Sequence, residues 1–240
     1  MEYNPNYGKL YLIPTRLGDN PPLEVLPLSV KKIIELVNDY IVENEKTARR
    51  FIKRISSGKS QSSLKLQTLN KYTEDHELQH FLDACKAGKN MGLLSEAGCP
   101  GVADPGADIV RMAHDNNIKV VPLVGPSSIL LALMSSGMNG QNFAFNGYIP
   151  IDKAERKAAL KKMERLSFEQ NQTQLFIETP YRNDKILDDI CKTLQDQTRV
   201  CVACDITLPS EYIKTKTVSD WKNTTANLHK RPAIFVIKKD

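Results

Sequence analysis

Short apolar segments alternate with helical segments throughout the first 124 residues of this chain. Apolar runs at 9–14, 40–44, 91–95 and 118–124 predict buried strands, while the segments between them repeat apolar side chains at helical spacing. Strands that are separated by helices pair in parallel, because the chain has to return to the same edge of the sheet before the next strand begins. The alternation therefore restricts this part of the chain to an α/β fold with a mostly parallel sheet.

The pattern changes in the second half of the chain. Two β-branched segments, 199–206 and 211–218, follow each other at the distance of a hairpin, which predicts antiparallel pairing. A length of 240 residues suffices for two domains of roughly 100–150 residues each. We therefore predict an N-terminal α/β domain over 1–124 and a C-terminal α/β domain with a mixed sheet over 125–240.

Composition excludes several classes of protein. No apolar run approaches the roughly 20 residues of a membrane-spanning helix, and the N-terminal sequence lacks the basic and apolar regions of a secretory signal. We therefore expect a cytoplasmic protein with no membrane partner. The five cysteines are an odd number, which argues against a disulfide framework. A net charge of +5 permits a phosphate-rich partner without requiring one.

Two short patterns resemble metal ligands. Cys201 and Cys204 form a C-x-x-C, but they lie in a predicted buried strand, where residues three apart point to opposite faces. His76 and His80 are four apart in a predicted helix over 74–88, and no third ligand accompanies them. A buried strand and a solvated helix face explain the two patterns better, so we expect no metal.

Loops rich in glycine and proline follow three of the predicted strands. Residues 93–106 read LLSEAGCPGVADPG and place three glycines and two prolines between 97 and 106. Similar loops follow the first and fourth strands, at 14–19 and 124–128. In open α/β sheets, ligands bind outside the C-terminal edge of the strands, and glycine lets the backbone approach a ligand closely. Three such loops at one edge predict a ligand cleft, with ordinary turns as the alternative.

These loops match none of the common phosphate or nucleophile motifs. The sequence contains no G-x-x-x-x-G-K-[ST], no G-x-G-x-x-G after the first strand and no G-x-S-x-G. No cluster of histidine and cysteine has the spacing of a metal site. The residues alone therefore predict a two-domain α/β protein with a cleft between the domains for a small, nucleoside-like ligand.

Five motifs together resemble the tetrapyrrole methylase superfamily of S-adenosylmethionine-dependent methyltransferases, and within it the branch of the bacterial 16S rRNA ribose 2′-O-methyltransferase. They occur in the family's order over nearly the whole chain: P-T-x-x-G-[ND] at 14–19, S-[DE]-A-G-x-P-x-x-x-D-P-G at 95–106, V-x-P-L-x-G-P-[SC]-[SA] at 120–128, aromatic-x-G-aromatic-[LI]-P at 145–150 and F-x-E-[ST]-x-x-R at 176–182. The second motif is long, so chance explains it poorly.

The resemblance implies two α/β domains of the class III methyltransferase type, with S-adenosylmethionine as the cofactor in the cleft between them, and a homodimer. The cofactor contacts that it implies are Gly98, Cys99, Pro100, Val102, Ser127 and Ser128. Pro14 is expected to line the cleft. Cys99 stands where other branches have aspartate, so its contact is expected to be made through the backbone.

Methyl transfer from this cofactor needs alignment rather than a covalent residue. The cofactor is already activated, so the protein must mainly align the acceptor with the methyl group. A ribose hydroxyl must in addition lose its proton, which calls for a carboxylate or a basic group near the acceptor. We predict Glu178 as that carboxylate and Arg182 as the residue that orients it or binds phosphate. A structural salt bridge at the start of a helix is the alternative.

The chain departs from the rRNA-methylating branch at its acceptor-side motifs. A-E-D-x-R becomes VENEK at 42–46, A-R-E-L-T-K becomes ACDITL at 203–208 with the loss of two cations, and K-G-E becomes KRP at 230–232. The branch also has a further C-terminal segment, which this chain is expected to lack. A basic stretch at 47–59 could supply RNA contacts instead, or could be a solvated helix face.

Three functions therefore remain open. A methyltransferase whose acceptor is a ribose 2′-hydroxyl of small-subunit rRNA is favoured by the match in the first and middle loops. A methyltransferase that acts on a tetrapyrrole or another small molecule is favoured by the lost cations. A non-catalytic homologue that still binds the cofactor is the third, because the acceptor-side residues differ.

Overall fold

The structure is a computed structural model that describes residues 3–70 and 72–240. The chain divides into two compact units, the first ending at Ser127 and the second beginning at Ser128. The boundary predicted from the sequence, between 124 and 125, lies in the same loop. Each unit has its own five-stranded sheet and its own core.

The sheet of the first unit has the strand order β3-β2-β4-β1-β5. Its strands are β1 Leu10–Ile13, β2 Asp39–Val42, β3 Lys65–Thr68, β4 Met91–Leu94 and β5 Val120–Pro122. All strand pairings in the described part of this sheet are parallel, which confirms the prediction of a mostly parallel sheet. Because parallel strands share a direction, all loops that follow them leave from the same edge.

Helices cover both faces of this sheet. They are α1 Pro22–Val25, α2 Leu28–Leu36, α3 Glu45–Ile55, α4 Asp75–Leu78, α5 Asp83–Lys86 and α6 Ala107–Asp115. One face packs Ile34 of α2 and Ile52 of α3 against Tyr40 of β2. The other face packs Ile109 of α6 against Met91 of β4. Apolar side chains therefore alternate between two cores, as expected for a sheet buried on both sides.

Helix α3, Glu45–Ile55, contains most of the basic stretch at 47–59 that the sequence analysis identified. It begins after Asn44, whose side chain accepts hydrogen bonds from the backbone N–H groups of Lys46 and Thr47 and so caps the helix. Its buried side chains, Phe51 and Ile52 among them, face the sheet. The basic residues consequently lie on the remaining surface of the helix.

Two predictions for the first unit are wrong in detail. The single helix predicted over 74–88 is instead α4 and α5, separated by turns at 79–82. Backbone hydrogen bonds there close over three residues, as from Phe81 N–H to Leu78 O, and this tighter winding interrupts the helix. The edge strand β3 was not predicted, because its side chains are at most half-buried and give little apolar signal.

The sheet of the second unit is mixed, as predicted, and has the strand order β6-β7-β10-β8-β9. Its strands are β6 Phe143–Tyr148, β7 Thr173–Ile177, β8 Arg199–Cys204, β9 Tyr212–Thr217 and β10 Ala233–Lys238. Strands β6 and β7 pair in parallel, whereas β10 pairs antiparallel with both β7 and β8. The predicted hairpin is confirmed, because β8 pairs antiparallel with β9.

Four helices accompany this sheet. They are α7 Ser128–Ser136, α8 Lys153–Glu169, α9 Asn183–Thr193 and α10 Val218–Lys222. Helix α7 begins at Ser128, directly after the loop that follows β5. Within the described ranges, no helix combines the length and apolar character needed to span a membrane.

Both cysteines of the C-x-x-C segment are buried in the second unit, but only Cys204 belongs to its core cluster. Phe176 and Phe235 stack at its centre with ring centroids 5.2 Å apart. Cys204 belongs to this core, and Cys201 does not, because side chains three apart on β8 point to opposite faces. All five cysteines are free thiols. The segment is therefore a buried strand.

Candidate active site

The three glycine-proline loops meet at the C-terminal edge of the first sheet. They follow β1, β4 and β5, which are adjacent strands. The Thr15 N–H donates a hydrogen bond to the Gly98 carbonyl at 2.9 Å, and the Cys99 Sγ lies 3.5 Å from the Pro126 carbonyl oxygen. The predicted gathering of these loops at one edge is thus confirmed.

Two glycines permit this close approach. Gly98 has φ +80°, and a Cβ added there would lie 3.2 Å from Leu17 Cδ2 and 3.3 Å from the Pro126 carbonyl oxygen. A Cβ on Gly125 would lie only 2.2 Å from Cγ of Pro14. Glycine is therefore required at both positions, by backbone conformation and contact at the first and by contact alone at the second.

A serine fixes the loop after β4 at both of its ends. The Ser95 Oγ accepts a hydrogen bond from the Ala97 N–H at 3.1 Å and donates one to the Asp104 carboxylate at 2.5 Å. Burial raises the pKa of Asp104, and the hydrogen bond from Ser95 opposes that shift. Residues 95 and 104 are thereby held together across the glycine-rich segment.

The residues that the resemblance assigns to the cofactor lie in or directly after these loops. Pro14 and Gly98 are buried, whereas Cys99, Pro100, Ser127 and Ser128 are half-buried and Val102 is exposed. Burial raises the pKa of the Cys99 thiol, so this side chain is neutral at physiological pH. The residues that the resemblance assigns to the cofactor consequently present backbone groups and neutral side chains rather than charged ones. Its cofactor contacts stay predictions.

Two further carboxylates lie near the ends of β2 and β4. The Glu96 carboxylate accepts a hydrogen bond from the Thr47 hydroxyl at 2.5 Å. Burial raises the pKa of Glu43, and the negative charges of Asp104 and Glu96 add to that shift. The Glu43 Oε1 is buried and has no hydrogen-bond partner within the described ranges. The sequence singled out Glu43 as a retained motif residue without predicting this environment.

A cavity of about 310 Å³ opens at the same edge, within the first unit. Its lining includes Thr15, Arg16, Asp19, Arg50, Phe51 and Glu96. No single motif indicates this cavity, because its lining combines side chains from two loops and from helix α3. Of these residues, Thr15, Arg16, Asp19 and Glu96 lie inside motifs that the sequence matched, whereas Arg50 and Phe51 do not.

The predicted pair Glu178 and Arg182 forms a close contact in the second unit. Glu178 directly follows β7, and its side chain is only 2% exposed. One carboxylate oxygen accepts the Thr179 N–H at 2.7 Å, and the other lies 3.1 Å from Arg182 Nη2. This geometry suits both alternatives, a proton acceptor held by arginine and a structural ion pair. The catalytic role of the pair stays a prediction.

The two most altered acceptor-side motifs contact each other. Arg231 Nε donates to the Asp205 carboxylate at 2.8 Å, and its Nη1 donates to the Asn227 carbonyl at 2.8 Å. The hydrogen bond to Asp205 is the main cause that raises the pKa of Arg231. Arg231 is therefore already neutralised by Asp205, which the comparison of separate motifs did not reveal.

The fold is that of class III methyltransferases. The crystal structure of the methyltransferase CobJ superposes with a TM-score of 0.63 over 97% of this chain and 94% of that chain, at 15% sequence identity. At such low identity the likeness defines the fold alone. It confirms the predicted arrangement of two α/β sheets, one parallel and one mixed.

Sequence comparison places the chain within a family. The family model of tetrapyrrole (corrin/porphyrin) methylases matches residues 24–221, so the chain belongs to this family of methyltransferases. Ribosomal RNA small subunit methyltransferase I of Buchnera aphidicola subsp. Schizaphis graminum is 27% identical over 96% of this chain and 78% of its own length. The protein of the same name from Bacillus subtilis is 29% identical over 90% of this chain and 70% of its own length.

Proposed function

We propose that this protein transfers a methyl group from S-adenosylmethionine to a ribose 2′-hydroxyl of small-subunit rRNA. The observation that carries the proposal is the similarity to ribosomal RNA small subunit methyltransferases, which extends over 96% of the chain in the Buchnera relative. The loops matched by the resemblance are also those that meet at one edge of the first sheet. The superposable methyltransferase CobJ supports the fold and says nothing about the acceptor.

The gathered loops suit S-adenosylmethionine as the methyl donor. Gly98 and Gly125 leave no room for side chains, so the backbone itself forms the surface that faces a ligand. The residues proposed to hold the cofactor are Pro14, Gly98, Cys99, Pro100, Val102, Ser127 and Ser128. When bound, the cofactor supplies an activated methyl group, and the protein's task is alignment and exclusion of water.

Removal of the proton from the acceptor hydroxyl is assigned to the second unit. The Glu178 carboxylate is proposed to accept this proton, and Arg182, whose Nη2 lies 3.1 Å from it, is proposed to orient it or to bind phosphate. The Glu178 side chain is only 2% exposed, so it is largely shielded from bulk water. If the pair only anchors the start of α9, its loss will affect stability and not turnover.

Assembly and location follow from the same proposal. A homodimer is supported by exposed apolar side chains on the edge strand β6, where Phe143 is 39% and Tyr148 is 63% exposed. The rRNA, alone or in the small ribosomal subunit, is the proposed partner, and the cytoplasm is the proposed location because the acceptor is found there. No membrane partner is proposed.

Methyl incorporation from labelled S-adenosylmethionine tests the proposal. Small ribosomal subunits should be taken from bacteria that lack the related methyltransferase, and the labelled nucleotide should be mapped by mass spectrometry. Label on a ribose of the rRNA supports the proposal. If a tetrapyrrole offered in parallel is labelled and the subunits are not, the proposed rRNA acceptor is wrong and a tetrapyrrole takes its place. Cofactor binding without transfer to either would favour a non-catalytic homologue.

A further inference from the structure

The cavity in the first unit is lined by side chains of opposite charge. Its lining includes the guanidinium groups of Arg16 and Arg50 and the carboxylate of Glu96. Glu96 lies two residues before Gly98 of the proposed cofactor loop. The carboxylate of the lining is therefore close in sequence to the residues proposed to hold the methyl donor.

The arginines at this cavity carry more positive charge than the neighbouring carboxylate of Asp19 neutralises. Asp19 Oδ1 lies 2.9 Å from Arg16 Nη2 and 2.6 Å from Arg54 Nη1, so two arginines share one carboxylate. The hydrogen bond from Arg54, followed by the charge of Arg16, lowers the pKa of Asp19. Burial lowers the pKa of Arg16, and the charges of Arg54 and Arg50 act in the same direction.

Arg50 is the unpaired member of this group. It lies on α3, lines the cavity, and makes neither a hydrogen bond nor an ion pair with the residues that the structure describes. Arg16 lines the same cavity, and repulsion between the charges of Arg50 and Arg16 is one of the causes that lower the pKa of Arg16. An anion in the cavity would relieve this repulsion, and paired guanidinium groups are well suited to bind the oxygens of a phosphate.

The Glu96 carboxylate offers acceptors for hydroxyl groups. One oxygen of Glu96 accepts the Thr47 hydroxyl at 2.5 Å, and the other has no hydrogen-bond partner among the described residues. The volume of about 310 Å³ lies at the small end of the roughly 300–1,000 Å³ found for ligand pockets, which suits one sugar-phosphate unit.

We propose that this cavity binds one ribose-phosphate unit of the acceptor RNA, with the phosphate on Arg50 and Arg16 and a sugar hydroxyl directed to Glu96. This inference rests on the proposed function, which names RNA as the acceptor. It goes further, because it assigns specific contacts: the phosphate to Arg50 and Arg16, and a sugar hydroxyl to Glu96.

The test uses Arg50→Ala and measures the KM for the RNA acceptor at several salt concentrations. Loss of one charge-assisted contact is expected to raise KM about tenfold with little change in kcat. The slope of log binding constant against log salt should become shallower by about 0.7, the contribution of one phosphate contact with single-stranded RNA. Arg50→Lys keeps the charge and should retain most of the salt slope.

Two further variants separate a local contact from general charge. Arg111→Ala removes an exposed arginine on α6 that does not line the cavity, and it should leave both KM and the salt slope unchanged. Lys53→Ala removes a cation from α3 outside the lining of the cavity, and it should have a clearly smaller effect than Arg50→Ala. Equal effects of Lys53→Ala and Arg50→Ala on KM and on the salt slope would overturn the proposal, because the total positive charge of helix α3 would then explain both.

A binding measurement keeps this inference separate from the proposed function. A short single-stranded RNA and a polyglutamate peptide of equal charge should be titrated into the wild-type protein and into Arg50→Ala. Binding of RNA that Arg50→Ala weakens supports the site, even if no RNA is methylated. Methylation of rRNA with unchanged KM and salt slope in Arg50→Ala would leave the function in place and reject the site. Equally strong binding of polyglutamate would also reject it, in favour of an acidic peptide ligand.

Discussion

The proposed sites of the two units are held together by different kinds of contact. In the first unit, the loops after β1, β4 and β5 are joined mainly through the backbone, as in the contact from Thr15 to Gly98. In the second unit, the acceptor-side motifs are joined through charged side chains, as between Arg231 and Asp205. The chain matches its family in the first set and departs from it in the second.

The difference follows from what each kind of contact requires. A backbone approach such as that of Gly125 to Pro14 tolerates no added carbon atom, so the residue types are fixed by geometry. A pair of charged side chains can be replaced by another pair, and the sequence motif then changes while a contact persists. A site held together by backbone contacts should therefore be disrupted when a single carbon atom is added to a glycine. A site held together by charged side chains should instead lose stability when one partner of a pair is removed.

The largest effect is expected at Glu178. Glu178→Gln keeps the shape of the side chain and removes its ability to accept a proton, so kcat should fall by about 10²–10⁴-fold if Glu178 is the general base. Single-turnover methyl transfer to the acceptor measures this fall. An unchanged kcat with a lower melting temperature would assign the ion pair with Arg182 to stability alone.

A smaller but clear effect is expected at Gly125. Gly125→Ala places a Cβ about 2.2 Å from the ring of Pro14, and the resulting overpacking should destabilise the protein by about 3 kcal/mol. Gly140→Ala is the matched control, because a Cβ there meets nothing within 4 Å. Chemical denaturation of both variants measures the difference. Equal stability of the two would contradict the close approach of the loops.

The next effect is expected at Arg231. Arg231→Met leaves the Asp205 carboxylate without its guanidinium partner, which should cost about 2 kcal/mol of unfolding free energy. Adding Asp205→Asn should recover part of this loss, because the unpaired charge is removed and asparagine tolerates the φ of +51° at this position. Denaturation of the single and double variants forms a double-mutant cycle. Strictly additive costs would show that the contact contributes nothing.

The smallest effect is a dependence of stability on pH. Burial first, and then neighbouring negative charge, raises the pKa of Glu43 above its ordinary value of 4.5 in the folded state. The folded protein therefore binds this proton more strongly than the unfolded chain, so the free energy of unfolding falls as the pH rises above 4.5 through the folded pKa. Glu43→Gln should flatten the curve in that window. A steeper curve in Glu43→Gln would contradict the shift.

The sequence predicted those parts of the fold that leave a local pattern. The strands of both sheets except β3, and the hairpin of β8 and β9, follow from apolar runs and their spacing. Strand β3 was missed because an edge strand needs few buried side chains. The break between α4 and α5 was missed because it depends on how Phe81 and Leu82 reach the core, which helical periodicity does not encode.

The candidate site was predictable only where residue type and backbone geometry coincide. Gly98 and Gly125 could be recognised from the sequence as site residues, because glycine is the residue type that fits at both positions. The cavity beside Arg50 and the pairing of Asp205 with Arg231 join residues that are far apart in the sequence. The fold determines which of these residues come into contact, so a single motif cannot predict either the cavity or the ion pair.

The most direct test of the central claim is calorimetric titration with S-adenosylhomocysteine and S-adenosylmethionine. The wild-type protein should bind both, and Gly98→Val should abolish binding, because valine at φ +80° is strained and crowds Leu17 and Pro126. Gly137→Val is the control, since it shares a positive φ of +70° but meets no neighbour within 4 Å. Binding that Gly137→Val retains and Gly98→Val loses is the predicted result. No binding by the wild-type protein, or equal binding by all three proteins, would contradict the assignment of these loops to the methyl donor.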